Sequence, residues 1–298
     1  MIPRYSRKVM ARIWTEENKF LSWLKVELAA MASMAKCGLI PPEAPKRAAR
    51  KARIDIARIL EIEAKTHHDV AAFVDQVAAG LGEDGRYFHF GLTSSDVLDT
   101  ALGLRLTEAA DVLLSDLDEL LVVLKDRAYA FKGQVMVGRT HGVHAEPITL
   151  GLKFALWYAE FQRQRARLAA ARKTIAVGKI SGAVGAFAHL APEVEAGVCK
   201  LLKLKPAPIS TQVIQRDRHA EYFLTLALID KGLARDAAYR PVQRPAMQVW
   251  EAGGEFAQRV KDDAEISQHL TPAEIEAIFD LNRYFRHVDT IFARVFGK

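Results

Sequence analysis

Cysteine is nearly missing from this chain: 298 residues contain two, Cys37 and Cys199, in unrelated apolar contexts and without CxxC spacing. That excludes a disulfide-stapled fold and a cysteine metal site, and it predicts two buried, reduced thiols in a cytoplasmic protein. Long hydrophobic runs are missing as well. Every apolar stretch meets a charge before the roughly 20 residues a bilayer span needs, and the start Met1-Ile2-Pro3-Arg4 has no hydrophobic signal core, so a soluble protein is expected. Aromatics make up only 8%, and neither charge sign dominates: 42 Lys and Arg face 36 Asp and Glu, for a net charge of +6. A mildly basic balance suits phosphate or carboxylate ligands and falls short of a nucleic-acid binder. What is present is 50% hydrophobic residues and 26% charged ones, enough to fill one large core or two modest ones.

No segment shows sustained strand alternation between hairpin turns, and helical spacing dominates. Leu106, Ala110, Leu113, Leu117, Leu120, Leu124 and Phe131 hold a 4-3-4-3 pattern over more than three heptads. Such a seam requires partner helices, which predicts a bundle of long helices and subunit association along them. Thr15 reads as an N-cap before a stripe of Phe20, Leu24 and Leu28, and Gly38 as the closing glycine before Pro41-Pro42. Thr271-Pro272-Ala273-Glu274 reads as a further helix start. The class is therefore all-α. Turn-rich stretches at Gly80 to Ser95 and Gly178 to Gly185 mark boundaries, and an N-terminal helical domain over 1–95, a central long-helix bundle over 96–229 and a C-terminal helical domain over 230–298 are expected. The basic tract Lys46, Arg47, Arg50, Lys51, Arg53 and Arg58 scatters its charges around a helix with no interleaved aromatics, as a solvated face does.

Three polar clusters stand at helix ends, where a rigid scaffold can present chemistry. Around Thr66-His67-His68-Asp69, Thr66 can cap a helix beginning near His68, whose first amides and dipole favour an anion; surface histidines beside a plain cap are the alternative. Thr93, Ser94, Ser95 and Asp96 open another helix with hydroxyls and amides suited to a carboxylate, or serve only as its cap. In Arg139-Thr140-His141-Gly142-Val143-His144-Ala145-Glu146-Pro147 the two histidines and the glutamate invite a metal, but Gly142 and Pro147 preclude a ligand-bearing helix and no fourth ligand is spaced for it. A histidine acid or base is the better reading there, with no metal. Gln212 and Arg216 either bond a carboxylate or decorate a polar turn, and Arg4-Tyr5 either pair with a phosphate or form a loose tail.

Taken in order, the segments from His89 to Asp96 (HFGLTSSD), Arg139 to Pro147 (RTHGVHAEP) and Ser210 to Asp217 (STQVIQRD), with IPRYS at the start and HVDTIFARVFG at the end, resemble the adenylosuccinate lyases of the fumarase and aspartase superfamily, from about residue 2 to 298. The resemblance implies reversible β-elimination of fumarate from adenylosuccinate to give AMP, and from the succinylocarboxamide intermediate of purine synthesis, without a cofactor. It implies that His141 is the general acid and His68 its companion, that Thr93, Ser94, Thr140 and Gln212 surround the fumaryl carboxylates, and that Arg4, Tyr5, Asp69 and His89 contact the nucleotide. It also implies three helical domains, a homotetramer cored by the central helices, and active sites shared among subunits.

One family feature is missing. The helix begun at Ala220 to Ile229 passes straight into Asp230-Lys231-Gly232, which resembles the C-terminal domain, and the family's Gly-Ser-Ser-x-Met-Pro-x-Lys-x-Asn-Pro loop, source of the presumed serine base, occurs nowhere in the 298 residues. Pro241 and Pro245 also interrupt a helical pattern. The expectation is a lyase impaired in turnover, with an inactive helical scaffold of the same superfamily as the alternative.

Overall fold

The structure is a computed structural model that describes residues 3–230, in a chain that divides into compact units at Met1–Leu226 and Ala227–Lys298. The Thr271-Pro272 helix start, the Pro241 and Pro245 pair, the closing motif and the 230–298 domain lie outside the described residues, apart from Asp230 itself. After a 3₁₀ turn at Pro3–Tyr5, short α1 (Lys8–Ile13) leads to α2 (Glu16–Lys36). Thr15 caps α2 by accepting the Asn18 amide, with Glu16 and Glu17 favourably placed in the first turn. At its other end Gly38 takes φ +74°, so that the Gly38 and Leu39 amides reach back to the Ala35 and Met34 carbonyls.

Helices α3 (Ala44–Lys51), α4 (Ile56–Thr66) and α5 (Asp69–Ala79) then share one apolar core with α2, α3 lying against α2 and α4 against α5. Phe20 stacks on Phe73 at 6.0 Å, and Trp23 meets both edge-on at 5.1 and 5.4 Å. Each such buried side chain contributes roughly 1.5–3 kcal/mol over exposure. In the basic tract Arg47 forks onto the buried Asp84 carboxylate at 2.7 and 2.9 Å. The other five charges remain exposed, as a solvated face requires.

A 3₁₀ stretch at Gly82–Tyr87 delivers the chain to α6 (Ser94–Ala130), whose 37 residues extend about 55 Å at 1.5 Å per residue. A hairpin of β1 (Val135–Thr140) and β2 (Val143–Thr149) turns the chain into α7 (Leu150–Ile175), which packs along α6. Leu106, Ala110, Leu117 and Leu124 of the heptad seam are buried within the chain, so α7 supplies part of the cover the pattern demands. Arg172 with Asp111 and Arg165 with Asp118 tie the pair along its outer edge. The chain continues through β3 (Val177–Gly178), α8 (Pro192–Leu202), β4 (Lys205–Pro206), which pairs in parallel with β3, and α9 (Asp217–Asp230). α9 runs unbroken through Ile229 and Asp230.

Three expectations need correction. A hairpin exists where no strand alternation is sustained: between the Val137–Pro147 and Arg139–His144 pairs β2 carries one extra residue, so Ala145 and Glu146 bulge opposite Gly138, where a Cβ would stand 2.4 Å from the Glu146 carbonyl oxygen, and the slip breaks the two-residue alternation. Thr66 ends α4 instead of capping α5; its hydroxyl turns back to the Ile62 carbonyl. Of the two free cysteines only Cys199 is buried, its thiol pushed up to about 12 by burial, while Cys37 is exposed at the end of α2. Among the described residues no helix is long and apolar enough to cross a membrane.

Where α6 crosses β3, Gly103 leaves room for backbone only: a Cβ would lie 2.7 Å from the Val177 carbonyl oxygen. Gly103→Ala is expected to lower stability by about 1–2 kcal/mol, overpacking outweighing the helix-propensity gain. The urea midpoint of the purified variant measures it, and an unchanged or higher midpoint refutes it.

Candidate functional site

The polar groups gather at the start of α6. His68 is the N-cap of α5: its backbone is extended at φ −145°, and its Nδ1 accepts the Ala71 amide at 3.2 Å. A ring nitrogen that accepts a backbone N–H carries no proton, so neutral His68 holds its proton on Nε2. That Nε2 lies 3.5 Å from Ser94 Oγ, in the first turn of α6, which joins the first two clusters of the sequence. Asp69 follows at the head of α5, half-buried, its carboxylate accepting the Val70 amide at 2.7 Å. Thr93 caps α6, and its own amide is taken by Asp96 Oδ2 at 2.9 Å.

His89 adjoins them with φ +59°, a left-handed conformation fixed from two sides. The fully buried Glu27 of α2 accepts both its amide, at 3.0 Å, and its Nδ1, at 2.6 Å. Burial opposes charge on the ring, but the Glu27 bond with the charges of Glu27 and Asp96 outweighs it and raises the His89 pKa above the ordinary value.

The Ser210 to Asp217 segment is held to the same end of α6. Asp99 accepts the Ile214 amide at 2.7 Å and Arg216 Nη2 at 3.0 Å, and Ser210 Oγ bonds Ser181 Oγ at 2.7 Å. Gln212 therefore stands exposed on a short span anchored on both sides. Among the described residues, His219 Nδ1 is the buried side-chain atom without a partner; burial and then the Arg216 charge lower that histidine's pKa.

The other predicted residues lie elsewhere in the chain. Thr140 ends β1, and His141 forms the hairpin turn with Gly142, at φ +50° and +78°, fully in solvent. The hairpin follows the far end of α6, about 55 Å of helix away from Ser94. Arg4 stacks on Tyr5 at 4.8 Å in the exposed first turn, next to α1, which Arg7 and Arg12 tie to Asp116 and Glu108 midway along α6. No group of three or more metal-ligating side chains occurs among the described residues.

Several residues that organise these groups receive no role from the motifs: Glu27, Asp99, Lys179, Ser181 and Ser210, the last inside the STQVIQRD segment. Asp96, Asp99 and Thr100 sit three and four apart, the spacing of one helix face, and all three are buried, so a polar stripe at core spacing is a usable signal. Glu27, a single acid in the apolar face of α2, is another.

Residues 4–238 match the family model described as Lyase, and 222–295 match the one described as Adenylosuccinate lyase C-terminus; the two overlap across the Ile229–Asp230 junction. An adenylosuccinate lyase of Staphylococcus saprophyticus is 44% identical over 297 residues, 99% of this chain and 68% of the relative. One from Bacillus subtilis is 47% identical over 287 residues, 96% of this chain and 66% of the relative. The chain thus spans about two thirds of the length of these relatives. Among solved structures, a fumarate lyase from a Mesorhizobium species superposes with TM-score 0.70 at 25% identity, covering 89% of this chain and 66% of that one. A 3-carboxy-cis,cis-muconate lactonizing enzyme from Pseudomonas putida gives 0.68 at 26%, covering 92% and 64%.

The sign of the His89 shift fixes a pH dependence. A histidine whose folded pKa is raised adds stability that is fully present below about pH 6.5, its unfolded value, and is lost as pH rises through the folded value. Glu27→Gln should therefore cost about 1.5–3 kcal/mol near pH 6, where the ring is charged, and less at pH 9. Urea unfolding of both proteins at the two pH values checks this; a deficit that grows with pH would reverse the sign.

Proposed function

The chain belongs to the adenylosuccinate lyase family of the fumarase and aspartase superfamily, and on that premise we propose that the start of α6 is the carboxylate end of a site for reversible β-elimination of fumarate from adenylosuccinate and from the succinylocarboxamide intermediate of purine biosynthesis. The observation that carries the reading is the convergence of His68 Nε2 with Ser94 Oγ beside Thr93 at a helix N-terminus. Hydroxyls, the first-turn amides and the helix dipole favour a carboxylate, and a histidine holding its proton on the facing nitrogen adds a donor. Elimination builds negative charge on the carboxylate next to the carbon that loses its proton, so fixed donors there stabilise the transition state.

The departing nitrogen needs an acid of near-neutral pKa, and His141 is the proposed donor. With about 55 Å of α6 between Ser94 and the hairpin, His141 and Thr140 reach this seat from another copy of the chain. Arg4, Tyr5, Asp69 and His89 are proposed for the nucleotide and Gln212 for the second carboxylate. Exposed Val122, Val123, Leu152, Leu156 and Trp157 on α6 and α7 favour association of copies, proposed as a homotetramer. The cytoplasm is the proposed compartment.

No stretch of this sequence matches the family's serine loop pattern, so no residue is assigned to take the carbon-bound proton. The purified chain should bind AMP and fumarate, while releasing fumarate from adenylosuccinate about 10²- to 10⁴-fold more slowly than a relative that carries the loop. Calorimetry with each ligand and absorbance of released fumarate measure the two. Absence of binding overturns the site and favours a superfamily scaffold; full turnover overturns the impairment.

A further inference from the structure

The start of α6 carries a buried charge cluster to which neither the motifs nor the proposed chemistry gives a role: Asp96 and Lys179, with the buried Glu195 of α8, which accepts the Ile180 amide at 2.7 Å, close enough to feel both charges. Lys179, between β3 and the glycine-rich turn, and Asp96, at the third position of α6, are both fully buried, and the ammonium donates to Asp96 Oδ1. It also donates to the Gly182 carbonyl at 3.1 Å, while the Gly182 amide lies 3.2 Å from Asp96 Oδ2. Thr100 grips the Lys179 backbone twice, at 3.0 Å through its carbonyl and 3.0 Å through its amide. Asp96 thus ties the Thr93 amide, the 178–182 turn and Lys179 into one knot directly behind Thr93 and Ser94.

A buried pair of this kind is a weak source of stability, because desolvation consumes most of the attraction and an apolar replacement often serves as well. Its position suggests another use. Asp96 is drawn to the helix start by the same amides and dipole that would attract a ligand carboxylate, and alone it would repel that ligand. We propose that Lys179 is a positioning residue that neutralises Asp96, so that Asp96 can hold the Thr93 and Gly182 backbone in place while leaving the Thr93–Ser94 seat receptive to a dicarboxylate. This rests on the seat proposed above.

Charge logic and a merely structural role order the variants differently. In Lys179→Met the Asp96 carboxylate is uncompensated, and fumarate binding should weaken about 10- to 100-fold. In the Asp96→Asn, Lys179→Met double variant the Asp96 carboxylate is gone and the asparagine oxygen still accepts the amides; Glu195, already pushed toward its neutral form by burial, loses the Lys179 charge that opposed that shift, and affinity should return to within about 3-fold of the parent. A structural role predicts that the double variant binds no better than Lys179→Met. Should Lys179→Met fail to fold by circular dichroism, Asp96→Asn alone decides: it leaves Lys179 unopposed and should bind fumarate at least as well as the parent, and weaker binding overturns the proposal.

A second readout needs no ligand. His89 is faced by Glu27 from α2 and Asp96 from α6, both of which favour its charged form. Its imidazole, followed by NMR, should titrate higher in Lys179→Met than in the parent and fall back in the double variant; unchanged titration in a folded Lys179→Met overturns compensation. A parent chain that binds no fumarate defeats the proposed function, and the His89 titration then decides the Lys179 claim by itself.

Discussion

The length of α6 is the constraint on which the rest of the structure depends. A straight helix of 37 residues keeps its ends about 55 Å apart, so whatever stands at Ser94 and whatever stands beyond Phe131 belong to different places in one chain. A rod that long is not stable by propensity alone; it needs a continuous apolar partner. The partner is α7, which the β1–β2 hairpin folds back along it. The connection that stabilises the rod is therefore also the connection that puts Thr140 and His141 at its far end. Separation of the groups is a consequence of how the scaffold is held together, and association of copies is the physical route by which they can meet.

The near end of α6 solves a different problem. Three chain segments, around Thr93, 179–182 and 210–216, converge there beyond the short β3–β4 pair, which satisfies only Val177, Gly178 and their partners. Asp96, Asp99 and Thr100 supply that satisfaction from one helix face, through the Thr93, Gly182 and Ile214 amides and both backbone groups of Lys179. Buried polar networks tolerate few omissions, since each lost partner strands another group in a low-dielectric interior. The first two turns of α6 are thus at once a helix start, a junction for loops and the back wall of the seat formed by Thr93 and Ser94.

Much of this was legible in the sequence, and the failures have physical reasons. The α2 cap at Thr15, its close at Gly38 and the α6 seam follow from local chemistry and period, which depend only on near neighbours. The hairpin did not, because the β2 bulge at Ala145–Glu146, opposite Gly138, spoils the two-residue alternation and its turn is His-Gly where the strongest signals are Asn-Gly or Asp-Gly. Thr66 was misassigned because a helix end and a helix start fall within three residues, and the choice between Thr66 and His68 as cap depends on the left-handed turn at His67, φ +52°. For the site, motif order named His68, Thr93 and Ser94, but Glu27, Lys179 and Asp99 act through pairs 62, 83 and 115 residues apart, beyond any local pattern.

Binding and bond cleavage place unequal demands on such a scaffold. Binding a dicarboxylate asks for donors fixed before the ligand arrives, and the groups proposed for that role are fixed by caps, a buried carboxylate and a neighbouring helix end. Removing a carbon-bound proton asks in addition for a base, and the serine loop pattern that the resemblance implies for that task has no counterpart in this sequence. Because the rigid donors draw their support from α2, α5, α6 and the 178–182 turn, all within the described residues, their geometry does not depend on that loop. On the proposed function, affinity for a dicarboxylate therefore does not require that loop, whereas turnover does.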